Sequence, residues 1–330
     1  MPARALRAPG STDAPSLTSV TIGGPPDELE HHRLAEFRCA PWTHEQGVDP
    51  IGSTATFDAL VLVEVPLPWP HDVSELPLLA GRSAPGVRVM AVVPEVVRPG
   101  NAVRVVHHRR LRTNHLAGVD HLAAPGQVAD LLDALLAAPM DDSSHLPTAD
   151  GEAPPEVLVC AHGRRDPCCG RFGTLLHNEL GDLPRDVRVW RCSHTGGHRF
   201  APTAITLPDG RAWAYADLPL LEAVISRSGP VSALVAADRG TSALDSWAQV
   251  AERAVFQQLG WAWFDQDLTE ARTKVAPDGR TAEVHLAWEG GQADAVVEVL
   301  REIPVLVCGE PPERATKVSL ELGLRSFTMG

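Results

Sequence analysis

Val157-Leu158-Val159-Cys160-Ala161-His162-Gly163-Arg164-Arg165-Asp166-Pro167-Cys168-Cys169-Gly170 is the stretch on which the fold turns. A short apolar run ends at a cysteine and gives way to a polar, glycine-bearing loop, which is the outline of a buried strand delivering a ligand at its end. Thr174 to Leu180 then reads as the later part of a helix, with Gly181 placed as its C-terminal cap. Val187 to Arg191 is the next strand, and it delivers Cys192-Ser193-His194-Thr195-Gly196-Gly197-His198. Strand, loop, helix, strand is the unit of an α/β fold, and such folds place their sites beyond the strand ends. If the two strands are adjacent and parallel, the two ligand loops converge.

The same outline precedes it. Asp58 to Val65 is an apolar run closed by Pro66, Val87 to Val93 and Val103 to His107 read as further strands, and Gln127 to Ala138 carries leucines at helical spacing. Glu64 and Cys160 would occupy comparable strand ends, a hint of duplication. Met140 to Pro155 is polar and proline-rich and reads as a linker. Beyond the second unit, Ala204–Leu207 and Ala212–Tyr215 flank the hairpin signal Pro208-Asp209-Gly210, and Asp217 caps a short helix. An apolar helical stripe runs from Ser242 to Leu259 and stops at Gly260. Strands follow near 282–288 and 304–308, with an apolar helix expected around Ala293–Leu300. The expected organisation is a disordered tail (1–26), an N-terminal α/β domain (27–139), the linker (140–155), a second α/β domain (156–240) and a small C-terminal α/β extension (241–330).

Composition narrows the function. The 330 residues are 44% hydrophobic and 22% charged, a globular balance, and the formal net charge of −13 argues against nucleic-acid or anionic-membrane binding. No run of about 18 apolar residues predicts a membrane span. The first residues lack an apolar signal region, so a reducing cytoplasmic setting is expected, where clustered Cys and His serve as metal ligands or redox groups more often than as structural disulfides.

The two stretches just quoted hold four of the six cysteines and three of the fourteen histidines. Thiolates and imidazoles hold zinc, copper or iron–sulfur clusters. Gly196-Gly197 between the histidines argues for a tight turn rather than a helix, at about 1 kcal/mol per glycine relative to alanine. Three chemistries remain open on the residues alone. A closed zinc site with two Cys and two His is chemically adequate, although the spacing is not that of a Cys-x₂₋₄-Cys knuckle. A [2Fe–2S] site of mixed Cys and His ligation is the second; Cys160-x-His162 imitates half of a Rieske pattern whose Cys-x-x-His half is absent. Thiol redox chemistry by Cys168-Cys169 is the third, against the strained ring that adjacent cysteines form when oxidised.

The window resembles the sucrase/ferredoxin-like family, thioredoxin-like ferredoxins related to the yeast actin-patches-distal protein. Cys160-x-His162-x-x-Arg165-Asp166-x-x-Cys169-Gly170 and Ser193-His194-x-Gly196-Gly197-His198-x-Phe200-Ala201 carry the resemblance. Glu64 to Trp69, Arg239-Gly240 and Gln249-Val250-Ala251-Glu252 extend it. It implies a thioredoxin-like ferredoxin domain at 156–240 and a [2Fe–2S] cluster. Carried over by position, its ligands are Cys160, Cys169, His194 and His198. His162, Arg165, Asp166, Cys168, Gly196 and Gly197 would surround them, and Cys168 competes with Cys169 for the ligand role. No pair of carboxylates in a supporting context backs glycoside hydrolysis.

Imidazole ligands remove negative charge, so such clusters sit at about −150 to +300 mV against roughly −400 mV for all-cysteine plant-type clusters. Their free ring nitrogens would couple electron to proton transfer and make the potential pH-dependent. The expected function is therefore an electron carrier, with no substrate conversion of its own, working between a reductase and an acceptor protein. Arg164, Arg165, Arg171, Arg185, Arg188, Arg191 and Arg199 would form a basic patch to steer an acidic partner. Trp190, Phe172 and Phe200 would shield the cluster. Cys39 and Cys308 read as small core hydrophobes. A structural zinc-binding interaction module and a thiol oxidoreductase using Cys168 or Cys169 are the alternatives.

Overall fold

A computed structural model describes residues 37–182, 186–310 and 312–330. The expected tail and Arg185 lie outside the described residues. The centre of the molecule is one ten-stranded mixed sheet, ordered β10-β9-β8-β6-β7-β2-β1-β3-β4-β5. Its middle strands are β1 (Ala59–Glu64), β2 (Val87–Val92), β6 (Glu156–Cys160) and β7 (Arg188–Cys192). All of β1 and β6 is buried, which is why both read as continuous apolar runs rather than alternating ones.

The order reads as two copies of one arrangement. In the first, β1 pairs in parallel with β2 and antiparallel with β3 (Val103–Arg112), which pairs with β4 (His115–Ala123). In the second, β6 pairs in parallel with β7 and antiparallel with β8 (Ala204–Leu207), which pairs with β9 (Arg211–Trp213). The halves join where β2 meets β7 antiparallel, with Val92 opposite Cys192. Glu64 pairs with Val92 and Cys160 with Cys192, so Glu64 and Cys160 end equivalent strands across this seam. A helix follows the last hairpin in each half: α2 (Val128–Ala137) and α4 (Leu218–Ile225), the latter capped by Asp217 Oδ1 accepting from the Leu220 N–H.

The other elements are α1 (Cys39–Glu45), β5 (Ala149–Glu152), α3 (Thr174–Glu179), β10 (Asp238–Thr241) and α5 (Ser246–Leu259). Four antiparallel strands, β11 (Leu268–Val275), β12 (Thr281–Trp288), β13 (Gly291–Pro304) and β14 (Val318–Met329), form a second sheet against α5. Among the described residues no helix is long and apolar enough to cross a membrane.

Two segments depart from expectation. The linker read at 140–155 contains a 3₁₀ turn (Ser143–His145) and β5, which adds to β4 as the outer strand. Its backbone is therefore paired, and the two halves share a sheet across it. The helix expected around Ala293–Leu300 is the middle of β13. Its Ala, Glu and Leu favour a helix locally, but Ala293, Ala295 and Val297 alternate into the core while β12 and β14 take the backbone on either side. Tertiary pairing overrides the propensity. The strand expected at 304–308 is likewise replaced by the loop that follows Pro304.

Candidate metal centre

Strand β6 ends at Cys160 and its parallel neighbour β7 ends at Cys192, so the loops after them leave the sheet side by side. The chain from Cys160 turns back through Asp166, whose Oδ1 accepts the Cys168 N–H at 2.8 Å. A π-helical turn, Cys169–Gly173, then leads into α3. Glycine at 173 is obligatory, because a Cβ there would lie 1.9 Å from the Cys160 carbonyl oxygen. The close approach seats the turn on the strand end and brings the Cys169 thiol to Cys160. Cys169 donates to Cys160, holding the Cys160 thiol well below its usual range and pushing Cys169 well above; His194 adds to the lowering at Cys160. Both sulfurs are buried.

The second loop supplies the imidazoles. Gly196 (φ 90°) and Gly197 (φ 65°) form the expected turn rather than a helix, in backbone conformations that favour glycine. The rings of His194 and His198 stand 6.0 Å apart. Nδ1 of His194 is buried with no hydrogen-bond partner among the described residues. Nδ1 of His198 lies 3.1 Å from Asp166 Oδ2, which leaves Nε2 as the nitrogen for a ligand role. Both histidines are partly exposed while both cysteines are buried, so the site is dry on its sulfur side and wetted on its nitrogen side.

The turn is held by a residue whose role the local sequence does not betray. Arg239, fully buried on β10, donates to the Gly196 carbonyl at 3.1 Å and to Ser53. A Cβ at Gly197 would fall 2.5 Å from its Nη2. Arg88 on β2 donates to the His194 carbonyl at 2.6 Å. Burial works against the charge of Arg239, Arg88 and Arg199 alike. Negative charge on the Cys160 thiol supports both Arg239 and Arg88. None of the three forms an ion pair with a carboxylate among the described residues. Two buried guanidinium groups, those of Arg239 and Arg88, thus stand near the Cys160 thiol, a setting that favours an anionic occupant.

Cys168 and Cys169 part company. Cys169 faces Cys160, whereas the Cys168 sulfur lies 3.2 Å from that of Cys308. Cys39 and Cys308, read from sequence as isolated core residues, meet Cys168 and Asp166 in a second cluster. Hydrogen bonds from Cys308 and Cys39 bring the Cys168 thiol down to about 4, while those that Cys39 makes with Cys168 and Cys308 push its own thiol far up. Cys192 is buried behind the site, its thiol raised by desolvation.

His162 does not enter the cluster region as a ligand. Its Nε2–H donates to the Pro70 carbonyl at 2.8 Å and its ring meets the edge of Trp69. The segment after β1 therefore packs over the loop after β6. Arg165 pairs with Asp72 across the same contact. The expected basic patch is broken up: Arg188 pairs with Asp120 and Glu156, and Arg199 lies over Phe200 and donates to Ser319. Arg164 and Arg171 are exposed. Phe172 packs beside the cysteines, while Trp190 is a core residue donating to Glu156.

The sucrase/ferredoxin-like family matches residues 50–236, more than half of the chain. A 58-residue segment is 34% identical to altered inheritance of mitochondria protein 32 of Meyerozyma guilliermondii, covering 16% of this chain and only 21% of that protein. No solved structure matches. The paired strand ends, the cysteine loop and the glycine turn all fall inside the matched region, and the chain belongs to the sucrase/ferredoxin-like family.

Proposed function

We propose that this protein is an electron carrier holding a [2Fe–2S] cluster on Cys160, Cys169, His194 and His198. The observation that carries the reading is the meeting of the Cys160 and Cys169 thiols with His194, at the ends of two parallel strands and near the guanidinium groups of Arg239 and Arg88, which have no carboxylate partner among the described residues. When bound, such a cluster takes up and gives back one electron at a time.

The chain's own residues set the conditions for that transfer. Cys160 and Cys169 anchor from the buried side and keep water from the sulfur. Arg239 and Arg88 fix the two backbone carbonyls of the histidine loop and add positive charge that favours electron uptake. Asp166 fixes the ring of His198 through Nδ1. The partly exposed imidazoles form the face through which electrons would pass to and from a reductase and an acceptor, and from which a proton can reach water. Cys168 and Cys169 turn to different partners, which gives a vicinal thiol pair no support as a catalytic unit.

Anaerobic purification with iron and sulfide analysis tests the reading. Equimolar iron and sulfide, with visible absorbance bleached by dithionite, is expected; colourless, iron-free protein from anaerobic cells sinks it. His194→Cys and His198→Cys should retain a chromophore at lower potential. An unchanged potential in both would remove the histidines from the ligand set.

A further inference from the structure

Six cysteines are more than the proposed cluster uses, and three of the remainder converge. We propose that Cys39, Asp166, Cys168 and Cys308 bind a single zinc ion at a site separate from the Cys160–Cys169–His194–His198 site.

Among the described residues these four side chains bring one ligand atom each within 4.8 Å of all the others. The Cys168 and Cys308 sulfurs are 3.2 Å apart and those of Cys308 and Cys39 are 3.4 Å apart. Asp166 reaches both Cys39 (Oδ2, 3.5 Å) and Cys308 (Oδ1, 3.5 Å). A zinc–sulfur bond of about 2.3 Å places tetrahedral sulfurs about 3.8 Å apart, so a small outward movement admits the ion. The Cys39 N–H donates to the Cys308 sulfur, at 3.5 Å.

Charge argues for an occupant. Asp166 is buried among three thiols and, among the described residues, its ion-pair partner is His198 alone, with no Arg or Lys. Three sulfurs are an odd set for disulfides, and a bond between any two of them would leave a thiol and a carboxylate buried together. Soft thiolates select zinc over calcium or magnesium. Zinc uptake displaces the thiol protons to solvent, with no change of oxidation state.

The placement gives the ion a task. Cys39 opens α1, Cys168 stands one residue before the proposed ligand Cys169, and Cys308 lies in the loop between β13 and β14. Cys39 and Cys308 are both outside the family-matched region of 50–236. The ion would therefore tie two flanking segments, 269 residues apart, to the cysteine loop.

Full-length protein purified under reducing conditions, assayed for zinc and iron, tests this. One zinc per chain is expected, lost in Cys39→Ser and in Cys308→Ser while iron and visible absorbance remain. Cys160→Ser should show the reverse. Should the serine variants not fold, chelator-treated wild-type protein is titrated with Co²⁺ alone. A tetrahedral thiolate spectrum, with Cys308 protected from alkylation until chelator is added, is the expected result. No cobalt or zinc uptake by the reduced wild-type protein, zinc retained by Cys308→Ser, or a disulfide among the three cysteines overturns the site. Zinc without iron upholds it and rejects the electron-carrier reading; iron without zinc does the opposite.

Discussion

Asp166 Oδ2 lies 3.1 Å from Nδ1 of His198 and 3.5 Å from the sulfur of Cys39. One carboxylate thus touches both groups of soft ligands. Removing its charge should be felt on the histidine side. Asp166→Asn is expected to weaken iron retention about 10- to 100-fold, the usual cost of losing a partner behind a ligating imidazole. Chelator competition on the as-purified protein measures it, and retention equal to wild type would show that Asp166 does not orient His198.

The adjacent cysteines should behave oppositely. Cys169→Ser is expected to abolish the visible chromophore, while Cys168→Ser keeps it, because only Cys169 faces Cys160. Iron content and absorbance of both variants decide this. Loss in Cys168→Ser with none in Cys169→Ser would reverse the assignment.

Gly173→Ala forces a methyl group against the Cys160 carbonyl oxygen, 1.9 Å away before relaxation. The π-turn must then lift off the strand end. A loss of about 1–3 kcal/mol or more is expected, read as a lower denaturant midpoint, together with a drop in iron content. A wild-type midpoint would mean that the turn is not seated as described.

Arg239→Lys should loosen the Gly196-Gly197 turn while keeping a charge nearby; Arg239→Ala should remove both. The potential of the reconstituted protein is expected to fall in the alanine variant and to stay closer to wild type in the lysine variant. Equal potentials in all three proteins would exclude Arg239 from tuning the site.

Acid should weaken the first half of the sheet. His121 is fully buried and its pKa is lowered by burial to about 4, with Ser143 Oγ 3.0 Å from Nε2. In the unfolded chain the group titrates near 6.5, so between those values the unfolded state holds the extra proton and stability falls as pH falls. The loss builds from about pH 6.5 to about pH 4 and reaches about 3 kcal/mol. Urea midpoints over that range measure it, with His121→Gln as the comparison. The same pH slope in both proteins would assign the effect elsewhere.

Much of the sheet is legible in the chain because β1 and β6 are buried on both faces and appear as apolar runs between clear breakers. The cysteine loop and glycine turn are legible for a similar reason: ligand types crowd at strand ends. Helical propensity at 293–300 misleads because nothing local reports that β12 and β14 claim that backbone. Cys39 and Cys308 stand alone in sequence and acquire meaning only once the fold closes 269 residues between them. Arg88 and Arg239 look like ordinary strand residues until β2 and β10 are placed beside the histidine loop. Cys168 and Cys169 are indistinguishable as letters; the start of the π-turn between them sends one sulfur each way.

The equivalence of Glu64 and Cys160 across the β2–β7 seam gives the molecule a blank copy of its own socket. At the end of β1 the same strand path finishes in a carboxylate that accepts from Arg98 and from the Arg104 N–H. The architecture therefore closes there on an ion pair instead of on sulfur. Whatever the second half has that the first lacks, namely the paired cysteines, the double glycine and the two histidines, is the increment that turns a shared scaffold into a cradle of soft ligands.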